Sequence, residues 1–154
     1  MPNRIKAISL TVGIILLGFL REYLFANINW IYLTLTNGRM NSAREEFHFL
    51  LNWSPTEINI LKFSLTALFC FLFFAFTYLI IKYFFNQKEY NNTVIITYIS
   101  LLSIAVLLLG FGKATDLYSS LYGAIRTIMG IAQSFMPLMI LALVFNFLPH
   151  IKDN

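Results

Sequence analysis

Charged residues and cysteine are both scarce in this chain of 154 residues. Charged residues make up 12% of the sequence, which is about half of the fraction typical of a soluble domain. This scarcity excludes a disordered chain, a nucleic-acid-binding arm and an ordinary soluble enzyme core. The single cysteine, Cys70, excludes a disulfide scaffold and a cysteine pair that cycles between thiol and disulfide. Hydrophobic residues account for 58% of the chain, so the composition indicates an integral membrane protein.

Histidines and aspartates are too few and too far apart for the chemistry of several small membrane enzymes. Asp116 and Asp153 are the only aspartates, and their predicted positions on opposite sides of the membrane exclude a catalytic aspartate pair. His48 and His150 are expected at opposite ends of the bundle, which excludes a haem held by two imidazoles. No group of His, Cys and carboxylate residues shows metal-ligand spacing. We therefore expect no cofactor, no bound metal and no catalytic centre.

Uncharged runs between charged residues predict the membrane spans. The hydrocarbon core is about 30 Å thick, so a spanning helix needs roughly 20 mostly apolar residues. Three runs are long and uncharged, and a less regular run at the start of the chain adds a first span. The four predicted spans cover residues 7–27, 58–82, 94–112 and 127–148. The predicted fold is an all-α integral membrane four-helix bundle that forms a single domain over residues 1–154.

The first span differs from the others because charge interrupts it. Only the stretch Ala7–Leu20 separates Lys6 from Arg21, which is too short to cross a bilayer. The helix is therefore expected to carry Arg21 into the far leaflet and to end near Asn27, with the arginine side chain snorkelling to the interface. No small-residue cleavage site follows Leu20, so this segment is expected to remain as an uncleaved anchor.

Two helix starts are predicted from local sequence. Ser54 and Glu57, with a proline between them, form a capping box that opens the second span. Ser42 and Glu45 form a second capping box, followed by a mixture of charged and apolar residues. This pattern predicts a short interfacial helix over residues 42–52 in the first outer loop, with an irregular loop as the alternative.

The distribution of charge predicts the orientation of the chain. Basic residues are divided almost evenly between the two sides, but Arg4 and Lys6 lie directly before the first span, and most acidic residues fall in the outer loops. The positive-inside rule then places both termini in the cytoplasm. A bacterial inner membrane is the expected location, from the small size and plain composition of the chain.

Small residues recur at helical spacing in the fourth span. Gly123, Thr127, Gly130 and Ser134 follow one another at intervals of four, three and four residues. Such a stripe lets helices approach closely in lipid, so it is predicted to pack within this chain or, alternatively, against another subunit. Pro137 is expected to kink the same span or to free a backbone carbonyl.

Glu22, Arg126 and Gln133 form the candidate polar site. Charges at membrane depth are costly and are usually paired, and both ionisable residues are expected in the outer half of the bundle. We expect Glu22 and Arg126 to meet, with Gln133 forming a hydrogen bond just below them. The pair either fixes helix register or belongs to a substrate, lipid-headgroup or ion site.

Two functions from different classes follow from this inventory. The first is a non-enzymatic accessory or assembly subunit of an envelope membrane complex, which the lack of a catalytic constellation favours. The alternative is a small oligomeric transporter or channel that uses the polar site in the outer half of the bundle. The expected partners are the lipid bilayer and another membrane protein or a second copy of the chain, but not nucleic acid.

Overall fold

The computed structural model of the protein describes residues 2–38 and 40–152, and all regular secondary structure in these ranges is helical. The helices are α1 (Pro2–Asn37), α2 (Pro55–Phe85), α3 (Lys88–Ala114), α4 (Tyr118–Ala132) and α5 (Met136–Lys152), with a 3₁₀ helix at Glu45–Asn52 between α1 and α2. The predicted all-α fold class is confirmed. Met1 and Asn154, whose location the orientation prediction concerns, lie outside the described residues.

Three of the described helices, α1, α2 and α3, are long and apolar enough to cross a membrane. The pair α4 and α5 meets the same test only if the two helices are counted as one span, which is bent by 62° at its break. The composition and length of the helices are therefore compatible with insertion into a membrane through three or four spans.

The start of α2 is the capping box that the sequence predicts. The Ser54 hydroxyl accepts a hydrogen bond from the Glu57 backbone N–H, and the Glu57 carboxylate accepts one from the Ser54 backbone N–H. Each side chain thus satisfies a backbone donor that the first helical turn leaves unpaired. At the other end, Asn86 adopts a left-handed conformation with φ 53°, and α3 begins two residues later.

The prediction that the first helix ends near Asn27 is wrong, because α1 continues to Asn37. The extra turns are stabilised by burial: Ile28 and Ile31 pack in one cluster with Ile58 of α2. Between spanning helices such packing stabilises through close van der Waals contact, since lipid tails are as apolar as these side chains. The packing of α1 against α2 therefore extends the helix beyond its most apolar segment.

The helix predicted over residues 42–52 is shorter and is a 3₁₀ helix that begins at Glu45. The capping box predicted at Ser42 does not form, since Arg44 precedes the first helical residue and makes no side-chain cap. The Arg44 backbone N–H instead donates to the Asn27 side-chain oxygen at 2.9 Å. Leu50 of the 3₁₀ helix is buried among residues of α1 and α2, so this segment is held against the two helices.

The main apolar core joins α1, α2, α3 and α5. Gly13 brings α1 close to α2, since a Cβ atom at this position would lie 2.8 Å from the Phe76 ring. The Tyr90 and Phe145 rings stack at 4.1 Å, which fixes α5 against the start of α3. The stacked rings lie at the end of the molecule at which α2 turns into α3.

Pro137 interrupts the last predicted span, as its sequence position indicates. Helix α4 ends at Ala132 and α5 begins at Met136, so residues 127–148 do not form one continuous helix. Proline removes a backbone donor and clashes with the carbonyl four residues earlier, which belongs to Gln133. The Ser134 hydroxyl bridges the break by donating to the Ile131 carbonyl at 2.8 Å and accepting from the Met136 N–H at 3.2 Å.

Candidate functional site

Arg21 is the centre of the most polar cluster between the long helices. Its Nε donates to the Gln133 side-chain oxygen at 3.1 Å, and its guanidinium forms an ion pair with the adjacent Glu22 carboxylate. Its Cζ also lies 5.4 Å from the centre of the Phe25 ring, which is within cation–π range. Arg21, which was expected to snorkel to the interface, instead donates a hydrogen bond to Gln133, a buried residue between the helices.

Two lysine–tyrosine contacts mark the depth of Arg21 along the α1–α2 pair. Lys6 Nζ lies 5.7 Å from the centre of the Tyr83 ring, and Lys62 Nζ lies 4.8 Å from the centre of the Tyr32 ring. The levels of Lys6 and Tyr32 are about 39 Å apart along α1, at about 1.5 Å per residue. Arg21 lies within about 3 Å of the midpoint between these levels. We call the two ends of the molecule the Lys6 end and the Tyr32 end.

Gln133 occupies the break between α4 and α5. It follows the last residue of α4, and its backbone N–H donates to the Met129 carbonyl. Its side chain is 3% exposed, and a buried amide of this kind is stable only when it is hydrogen-bonded. Arg21 supplies that hydrogen bond, and the Cys70 thiol of α2 lies beside the same amide. The cluster therefore ties α1 and α2 to the point at which the last span breaks.

The expected ion pair between Glu22 and Arg126 does not form, because Glu22 pairs with Arg21. Arg126 lies two helical turns before Gln133 on α4, which corresponds to about 10 Å towards the Tyr32 end. At that level it lies within electrostatic range of Lys62 on α2. Of the three predicted polar-site residues, the structure thus brings Glu22 and Gln133 together through Arg21 and places Arg126 elsewhere.

Glu22 differs from the rest of the cluster because it points outwards. Its side chain is 73% exposed, compared with 19% for Arg21. It lies on the outward face of α1, which we define by Ile15, Phe19, Glu22 and Trp30, all of them exposed. This carboxylate stands at the middle of an otherwise apolar face, and among the described residues the cation that pairs with it is Arg21.

The small-residue stripe does not serve as a packing face within this chain. A Cβ atom added at Gly123 or Gly130 would meet nothing within 4 Å. The Thr127 hydroxyl donates to the Gly123 carbonyl of its own helix, and Ser134 caps the break described above. The prediction of packing inside the chain is therefore wrong for the two glycines, while contact of this stripe with another subunit stays a prediction.

Sequence reasoning missed the roles of Arg21, Cys70 and Lys62. Two spacings in the sequence could have predicted these contacts. Lys62 and Cys70 lie eight residues apart on α2. Arg126 lies seven residues before Gln133, the residue that caps α4, so each pair shares one helix face. The faces meet, because Lys62 approaches Arg126 and Cys70 approaches Gln133.

The cluster supplies the hydrogen-bond donors of a guanidinium and an amide, together with the Glu22 carboxylate that pairs with Arg21. Arg21 carries five N–H donors on a planar group, and Gln133 adds an amide. Within the described part of the chain, no three side chains of His, Cys, Asp or Glu lie together as a metal-binding group. The arrangement can hold helices in register or bind a polar or anionic group.

Comparisons of the chain with protein-family models, curated proteins and solved structures find no match.

Proposed function

We propose that the protein is a non-enzymatic accessory or assembly subunit of a membrane complex. It binds its partner through the outward face of α1, and the small-residue stripe of α4 provides a second contact. The observation that carries this proposal is the exposed Glu22 carboxylate at the middle of α1. A charged group facing lipid near the bilayer centre is costly, and a partner helix that donates a hydrogen bond to Glu22 removes part of that cost.

The surface of α1 supports the same proposal. Only 6% of the residues in its most apolar window are fully buried within the chain, and the outward face of the helix is left for lipid or for another protein. Gly130 is likewise open, and glycines on a spanning helix allow a second helix to approach closely. Both surfaces suit a partner that also spans the membrane.

The proposed topology is a bundle of four spans with both termini in the cytoplasm, and a bacterial inner membrane is the proposed location. Support for a fourth span comes from the contacts of α4 and α5. Arg126 approaches Lys62 at the Tyr32 end, whereas Phe145 stacks on Tyr90 at the Lys6 end. The broken pair therefore reaches both ends of the molecule. In this proposal, the 3₁₀ helix lies at the non-cytoplasmic surface of the inner membrane.

Purification in mild detergent tests the proposal. The tagged protein is expected to co-purify with one different membrane protein in a fixed ratio, identified by mass spectrometry. Glu22→Ala should lose that partner while the chain still folds, because Glu22 is mostly exposed and Arg21 keeps its hydrogen bond to Gln133. Glu89→Ala, which removes an exposed carboxylate from the first turn of α3, is the matched control and should keep the partner. A chain that purifies only as a homo-oligomer contradicts the proposal.

A small oligomeric transporter or channel is the second candidate, and one observation favours it. Arg21 lies opposite the break between α4 and α5, at Gln133. Broken helices near the middle of the membrane are where many transporters bind substrate, and an intramembrane arginine is itself a mark of function. This candidate predicts that Arg21→Gln folds, purifies as a homo-oligomer and loses the cellular phenotype of the wild type.

A further inference from the structure

A groove of about 540 Å³ runs along the surface between α2 and α3, with Met129 of α4 beside it. Phe63, Phe71 and Ile99 line the groove and are each more than half exposed, so it opens onto the surface that faces lipid. The polar groups in its lining are those of Thr66, Cys70 and Tyr98. The groove is thus an apolar slot rather than an aqueous pocket.

The size of the groove fits one lipid acyl chain. Its volume lies within the range of about 300–1,000 Å³ that is typical of ligand sites. Its lining on α2 extends from Phe63 to Phe74, which is about 16 Å at 1.5 Å per residue. That length is about half of the 30 Å hydrocarbon core, so the groove corresponds to one leaflet.

Two cations lie at the Tyr32 end of this groove. Lys62 directly precedes Phe63, and Arg126 lies one helical turn before Met129. Lys62 and Arg126 are within electrostatic range of each other, and neither forms an ion pair with a carboxylate of the described residues. Two like charges held close together at the edge of a low-dielectric region repel each other, and an anion between them removes that repulsion.

We propose that Lys62 and Arg126 bind the phosphate of an anionic phospholipid whose acyl chain occupies the groove. The groove alone accepts the tail of any lipid, because its lining is apolar. The two cations add selectivity for a headgroup with net negative charge, since basic pockets between spanning helices favour anionic lipids. The acyl chain then covers Phe63 and Phe71, and the phosphate neutralises the charge at the Tyr32 end.

Thermal unfolding in a neutral detergent tests this site, with lipids of identical acyl chains added. Phosphatidylglycerol is expected to raise the unfolding temperature of the wild type more than phosphatidylcholine does. Each charge removed, in Lys62→Gln or Arg126→Gln, should weaken binding of phosphatidylglycerol about fivefold and leave binding of phosphatidylcholine unchanged. Lys113→Gln is the matched control, because Lys113 is an exposed cation at the same end of the molecule but lies eleven residues beyond Leu102, the last residue of α3 that lines the groove.

Two features of the variants guard against a loss of folding and test the groove itself. Arg126 is exposed, so Arg126→Gln should fold even if Lys62→Gln does not. Ala67→Trp fills the groove from an exposed position and should lower the binding of both lipids. Equal stabilisation by the two lipids, or a preference for phosphatidylglycerol that is as large in the Arg126 variant as in the wild type, overturns the proposal. Inorganic phosphate that reproduces the effect of phosphatidylglycerol also overturns it, because the site would then bind an anion without a tail.

Discussion

The guanidinium of Arg21 donates a hydrogen bond to the side-chain oxygen of Gln133, a residue 112 positions later in the chain. This contact joins the middle of α1 to the break between α4 and α5. It also satisfies a buried amide that has 3% exposure. An arginine at this depth is costly unless it is paired and hydrogen-bonded, so both partners depend on the same contact.

The first prediction is that Arg21 and Gln133 are coupled in stability. Replacing Gln133 by Leu leaves the guanidinium with one partner fewer, and replacing Arg21 by Gln leaves the buried amide without its ionic donor. Each change should destabilise the fold by about 1–3 kcal/mol, and the double change should cost less than the sum. A double-mutant cycle on unfolding in detergent measures this coupling. Additive effects would show that the hydrogen bond contributes nothing to stability.

The second prediction is that Glu22 and Arg126 are independent. The two side chains were expected from the sequence to form a pair, but Glu22 contacts Arg21 and Arg126 lies towards Lys62. In a second double-mutant cycle, the destabilisation by Glu22→Gln and that by Arg126→Gln should add to the value for the double variant within about 0.5 kcal/mol, as for distant sites. A coupling energy well above that value would contradict the observed pairing.

The sequence is sufficient to locate α2 and α3, because a long uncharged run is what insertion into lipid requires. The start of α2 is also predictable, since the capping box at Ser54 and Glu57 depends only on neighbours in the chain. The end of α1 cannot be predicted in this way, because the turns beyond Asn27 are stabilised by Ile28 and Ile31, which pack against a different helix. Contacts of that kind depend on how two helices align, and this alignment does not follow from the composition of either helix.

The candidate site was mispredicted for the same reason. Ending α1 near Asn27 places Arg21 close to the membrane surface, where snorkelling is expected. In the longer helix, Arg21 lies near the middle of α1. At that position its guanidinium needs a hydrogen-bond partner within the chain. Gln133 was recognised as a polar residue of the last span, but only the register of α4 against α1 shows that Arg21 is the group it contacts.

The third prediction concerns orientation. Ser42 precedes the 3₁₀ helix at the Tyr32 end, and Asn92 lies near the start of α3 at the Lys6 end; both are exposed. In a Cys70→Ser background, a reagent that cannot cross membranes should label Ser42→Cys in intact cells and spare Asn92→Cys. The basic residues before α1 are the reason for this expectation. The opposite pattern reverses the orientation, and labelling at both positions contradicts the four-span topology.

The last prediction separates two glycines that look alike in the sequence. Gly13 lies where α1 approaches α2, and a side chain there meets the Phe76 ring. Gly130 lies on the small-residue stripe, and a side chain there meets open space. Gly13→Leu should therefore destabilise the isolated chain by about 1–3 kcal/mol through overpacking, whereas Gly130→Leu should leave its unfolding in detergent nearly unchanged.

Gly130→Leu should instead affect the assembly of the protein with its partner. If the stripe contacts another subunit, leucine blocks the close approach of that helix, and Gly130→Leu should release the partner while the chain stays folded. Ile131→Leu, one residue away, changes shape without adding volume and serves as the control in both measurements. A Gly130→Leu protein that unfolds like the Gly13 variant would show that the stripe packs inside the chain after all. One that keeps both its stability and its partner would show that this face of α4 contacts lipid.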